Sequence, residues 1–146
     1  MKTLLITTLL VLTSSFNLAQ AHEPGGKAGP TAGKLITEVA PNAEFFVNKD
    51  RKVEIRFISD KNKVIAPGEQ VVSVVLGDRS APTKLAFIKD GNKLVSDKAI
   101  PAGNEMPTVV QIKAKAGEKT VSKKFNLNLS SCPTCKNAEY ACICGH

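Results

Sequence analysis

The residues best suited to chemistry stand together at the end of the chain. The segment SSCPTCKNAEYACICGH, residues 130–146, holds all four cysteines, the single tyrosine and one of the two histidines. The spacing Cys132-x2-Cys135-x6-Cys142-x-Cys144 brings four soft donors into thirteen positions. Four thiolates so close can enclose one soft cation. Zn²⁺ takes such donors as a tetrahedral set, and Cu⁺ prefers the same donors, often fewer of them. Pro133 presets φ at the second position of a tight turn, so Cys132 and Cys135 can aim at one point. His146 can replace one sulfur. The same residues allow a second chemistry, because an exported chain usually oxidises its thiols and an even count suits two structural disulfides. A bond inside Cys-x-Cys is strained, so pairing would cross between the two halves or close within Cys132-x-x-Cys135. Of the two, the spacing favours the metal site.

Elsewhere the pattern is that of strands. KLITEV (34–39), AEFFVN (43–48), KVEIRFIS (52–59), VVSVVLG (71–77), TKLAFIKD (83–90), KLVSD (93–97), TVVQIKAK (108–115) and KTVSKKFNLNLS (119–130) are rich in β-branched and aromatic residues. Val53, Ile55 and Phe57 alternate with Glu54, Arg56 and Ile58, and Phe125, Leu127 and Leu129 with Asn126, Asn128 and Ser130. Asp90-Gly91-Asn92 is a hairpin signal, because Gly and Asn tolerate positive φ. No helical period follows the first residues. Strands at this spacing without helices between them predict an all-β fold, an immunoglobulin-like antiparallel β-sandwich over 34–130 with a Cys-rich C-terminal tail over 131–146. A domain of that size buries a core without staples, so the cysteines are not needed to hold it together.

The first residues predict where the protein works. Lys2, the short apolar run Leu4 to Leu12 and Ala19-Gln20-Ala21 form a secretory signal over 1–21 with an A-x-A cleavage site. The run falls short of the roughly 20 apolar residues of a spanning helix, so no stable membrane insertion is expected once the signal is removed. The compartment is then periplasmic or secreted. Residues 22–33, HEPGGKAGPTAG, read as a flexible Gly/Pro-rich arm. Cleavage after Ala21 makes His22 the first residue, with an amino group and an imidazole that together can chelate Cu²⁺. Met106 offers a thioether to Cu⁺, although a loop methionine more often packs against its neighbours. The net charge of +7 is scattered over turns and alternating strand positions, and the chain has no tryptophan. Nucleic-acid binding needs a concentrated basic stripe with aromatics to stack on, and none is present.

Some of these residues resemble known families. CPTCK (132–136) resembles the Cys-Pro-x-Cys knuckle of zinc ribbons and rubredoxins, which implies a structural turn around a metal. It departs from the ribbon pattern in its second half, where Cys142-x-Cys144 follows a shorter gap. Cys-x-Cys is itself similar to metallothionein-like thiolate clusters. CPTC also looks like the glutaredoxin tetrad, but that chemistry needs a helix N-terminus in an α/β fold, and an all-β domain precedes it here. Periplasmic copper carriers of the β-sandwich type also begin with histidine, a similarity confined to His22 and the strand count. Over the first half of the sandwich, Thr31-Ala32-Gly33, Lys34-Leu35, Glu44-Phe45-Phe46-Val47, Val53-Glu54-Ile55-Arg56-Phe57 and Asp60 to Val64 resemble small exported β-sandwich proteins found with bacterial heavy-metal efflux and resistance systems. The histidine that opens their pattern is absent. This resemblance implies an accessory role in metal handling at the cell envelope, with an efflux component as a possible protein partner.

The expected function is therefore an exported metal-binding accessory protein, taking up or delivering Zn²⁺ or Cu⁺ through a mobile four-cysteine tail. The alternative is an envelope interaction module whose tail is a disulfide-stabilised knob. An enzyme is not expected: there is no Ser-His-Asp set, no phosphate loop, and no histidine between His22 and His146.

Overall fold

The structure, a computed structural model, describes residues 27–145. The signal expected over 1–21, the start of the arm with His22, and His146 lie outside the described residues.

Two antiparallel sheets form the sandwich. The first carries β1 (Lys34–Ile36), β2 (Asn42–Val47), β3 (Val53–Ile58), β8 (Lys93–Ser96) and β7 (Phe87–Asp90) in that order, with β4 (Val64–Ile65) beside β3. The second runs β10 (Val121–Asn128), β9 (Glu105–Lys113), β5 (Val71–Leu76), β6 (Thr83–Leu85). Lettered from β2, omitting β4, the orders are A-B-E-D and G-F-C-C′, the immunoglobulin arrangement.

Period-two patterning decides which side chains meet between the sheets. Val53, Ile55 and Phe57 on β3 face Val72, Val74 and Leu76 on β5 and Met106, Val110 and Ile112 on β9 within one buried core. Met106 is therefore a core residue, 6 % exposed. The segment 83–90, expected as one strand, divides at Ala86. Leu85 belongs to the second sheet and Phe87 to the first. Asp97 holds the crossing on both sides, accepting from Ala86 N at 3.0 Å and donating its own N–H to Ala86 O at 2.9 Å.

The outer face of β3 is also covered, by charge rather than by carbon. Glu54 is 5 % exposed and is bonded by Asn48, Lys93 and Arg56, whose guanidinium also lies over Phe46. A buried carboxylate needs such partners to stay ionised.

Two segments expected to be free are tied to the sandwich. From Lys27 onward the arm is not loose: Thr31 N and Gly33 N donate to Glu44 Oε1 at 2.8 and 2.9 Å, and Leu35 N donates to Lys27 O. The fit explains two of the glycines. A methyl on Gly29 would meet the Glu44 carboxyl, and one on Gly33 would come within 2.5 Å of Phe45 O.

The tail is docked in the same way. After β10 the chain makes a single antiparallel bridge between Ser131 and Ala138, then a 3-10 turn over Glu139–Ala141 that packs against β10 and β1. Tyr140 is 6 % exposed, its ring edge-on to Phe45 at 5.7 Å and stacked with Phe125 at 6.4 Å. Its hydroxyl accepts from Val47 N at 3.1 Å. Burial pushes that hydroxyl's pKa above its ordinary value.

Tyr140→Ala is expected to destabilise the protein by about 3–5 kcal/mol, the usual cost of an aromatic cavity. Tyr140→Phe, which keeps the ring but strands Val47 N, should cost about 1 kcal/mol. Urea unfolding followed by circular dichroism measures both, and equal costs would show that the ring is not the anchor.

Candidate metal centre

The CPTCK turn closes the short ribbon after Ser131. Cys132 N donates to Asn137 O at 2.8 Å and Lys136 N to Cys132 O at 3.0 Å. Lys136 completes the reversal at φ +64°, a left-handed conformation that costs a non-glycine residue some energy. The turn throws the Cys132 and Cys135 side chains to the same side. The 3-10 turn then swings the chain back beneath them. Cys142 resumes extended backbone at φ −62°, ψ 136°. In extended backbone residues two apart share a face, so Cys142 and Cys144 both meet the knuckle while Ile143 between them points outward, 49 % exposed.

All four Sγ atoms lie within 4.8 Å of one another. Cys142 Sγ is 3.4 Å from Cys132 Sγ and 3.7 Å from Cys135 Sγ. A tetrahedral ion with Zn–S bonds of about 2.3 Å requires edges of about 3.8 Å. A disulfide requires about 2.05 Å, and none of the four cysteines is joined in one. The cluster fits an ion more closely than it fits crossed disulfides.

Backbone donors add to the fit. N–H groups of Ile143 and Asn137 point at Cys135 Sγ and hold its pKa down from the ordinary 9.0 to about 6. Cys144 N lies 3.3 Å from Cys142 Sγ. Burial, followed by the neighbouring sulfurs, drives the Cys142 thiol up to about 12, and burial likewise raises Cys144. One sulfur ionises readily and the next resist, because negative charges at this spacing repel unless a cation lies among them. Cys132 is fully buried, while Cys135, Cys142 and Cys144 are half-buried.

No family model, curated protein or solved structure matches this chain.

The four cysteines lie close together and can hold a metal ion. The two histidines considered as ligands, His22 and His146, lie outside the described residues, and Met106 faces the core instead of the cluster. The anchoring role of Tyr140 was not anticipated. Its signal was present: the only tyrosine of the chain falls between the two cysteine pairs, in the segment Ala138-Glu139-Tyr140-Ala141.

Loading one divalent ion at pH 7 is expected to release about three protons, since a first thiol with a pKa near 6 is already ionised there. Below pH 6 that sulfur takes up its proton too, so affinity should fall more steeply. Calorimetric titration in buffers of different ionisation enthalpy counts the protons, and release of one or none would mean that the sulfurs are not the ligands.

Proposed function

We propose that this chain is an exported, non-enzymatic accessory protein that takes up or delivers a soft metal ion, Zn²⁺ or Cu⁺, at the cell envelope. The observation that carries the reading is the meeting of four cysteine sulfurs within 4.8 Å. Export is supported by the signal pattern at 1–21, and the envelope setting by the resemblance of residues 31–64 to proteins of heavy-metal efflux systems. An efflux component is the partner that this resemblance suggests.

The exposure of the sulfurs supports exchange of the ion over permanent enclosure. An acceptor's thiolate can reach the ion from the side of Cys135, Cys142 and Cys144, displacing these one at a time, while buried Cys132 lets go last. The docked tail changes the mechanism expected from a mobile one. The ligands stay on a fixed frame, and the acceptor must come to them.

Mature protein isolated from its export compartment should carry about one ion per chain and no readily titrated thiol until the ion is chelated. The Cys132→Ser/Cys135→Ser variant should lose the ion. Metal analysis together with thiol counting decides the matter: two disulfides and no metal would refute the reading and favour an interaction module with a cross-linked knob.

A further inference from the structure

A second feature of the tail is a site that none of the four cysteines lines. Where the docked tail meets the β2–β3 turn there is a cleft of about 440 Å³, within the range of small-molecule sites. One wall comes from the tail, with Lys136, Asn137 and Tyr140. The other comes from the sandwich, with Phe46, Arg51 and Asn104.

The wall chemistry is one-sided. Two cations and several amides line the cleft, and no acidic residue does. Each cation is aimed by neutral carbonyls instead of a carboxylate. Arg51 Nη2 donates to Pro101 O and Gly103 O, both at 2.6 Å, and Lys136 Nζ donates to Pro133 O at 2.6 Å. Carbonyl dipoles orient a cation and leave its charge uncancelled, so the two cations outweigh the one carboxylate, Glu44, that acts on the Tyr140 hydroxyl from behind the wall. Tyr140 adds to this. Its hydroxyl oxygen already accepts from Val47 N, which leaves the O–H hydrogen for an incoming acceptor. The rest of the lining, with Phe46, Val47 and Leu129, is apolar. Apolar walls around convergent donors suit an organic body carrying a negative group better than they suit a bare inorganic ion.

We propose that this cleft binds a small organic carboxylate, its oxygens toward Arg51 and Lys136 and its carbon body against Phe46 and the Tyr140 ring. Because the two walls belong to tail and sandwich, the ligand bridges them and favours the docked tail. The inference does not depend on the metal reading, since metal and thiol counts test that reading and the readout below does not use them.

The test uses a property of the composition: with no tryptophan and one tyrosine, the ultraviolet emission of the whole protein comes from Tyr140 in the cleft wall. Full-length mature protein is titrated with hexanoate, with hexylamine, which has the same body and the opposite charge, and with inorganic phosphate, all at constant ionic strength. Hexanoate is expected to give a saturable change in emission in the millimolar range, as suits so small a ligand. Hexylamine and phosphate should give none at those concentrations. Arg51→Met should weaken hexanoate roughly tenfold or more, the usual effect of losing a charge-assisted bond. Since Arg51 also holds a loop, Asn104→Asp provides a second variant, which adds a negative charge at the cleft while its backbone bond to Leu129 remains; it should weaken hexanoate as well. Lys84→Met, at an exposed position of β6, should change nothing. The proposal is overturned if hexanoate fails to saturate, if hexylamine or phosphate does as well, or if neither cleft variant weakens binding.

Discussion

Tyr140 sets the terms for everything that happens at the end of this chain. Its ring fills the open side of the sandwich between Phe45 on one sheet and Phe125 on the other, and its hydroxyl satisfies Val47 N at the end of β2. Residues that merely followed the last strand would be free to sample many arrangements, and ordering each would cost about 1–2 kcal/mol of backbone entropy. The buried ring offsets part of that cost. It also fixes where the chain turns back, and so places Cys142 and Cys144 under the knuckle. The sandwich contributes no ligand to the cluster. It contributes the surface on which the ligands are held.

Within the cluster two effects oppose ionisation, burial first and then repulsion between the sulfurs. Sulfurs at 3.4 and 3.7 Å are too far apart to be bonded and too close to be ionised together without a cation. Amide N–H groups of Ile143 and Asn137 ease the burden most at Cys135, and that of Cys144 offsets only part of it at Cys142. The result is an asymmetric set: one sulfur ready as a thiolate, two held back by burial, and one shut away from solvent. Ligands that differ in this way need not leave an ion together, which suits a site where the ion passes between partners.

Much of this organisation was legible in the residues. Alternation of Val53, Ile55 and Phe57, and of Leu127 with its polar neighbours, fixes inward and outward faces, and inward faces without helices demand two sheets. The four cysteines announced a common site because the spacing of donors along a chain limits where they can go. What stayed hidden was decided by contacts distant in sequence. Ala86 gives no local sign that the chain changes sheets there, since the decision rests on Asp97. The arm composition of Gly29 to Gly33 suggests freedom, and only Glu44 shows that the glycines are there to let a carboxylate in close. The short β4 lacks an alternation long enough to be noticed.

The clasp at Glu44 has a further effect on the geometry of the whole chain. By tying the segment before β1 in place, it brings Lys27 and Ala28 to a cleft that Ile143 also lines. Residues from the two ends of the described chain thus line one cleft, on the face that Ile143 presents outward. A label placed on the Lys27 amine would therefore sit beside Ile143 and sense whether the tail is docked.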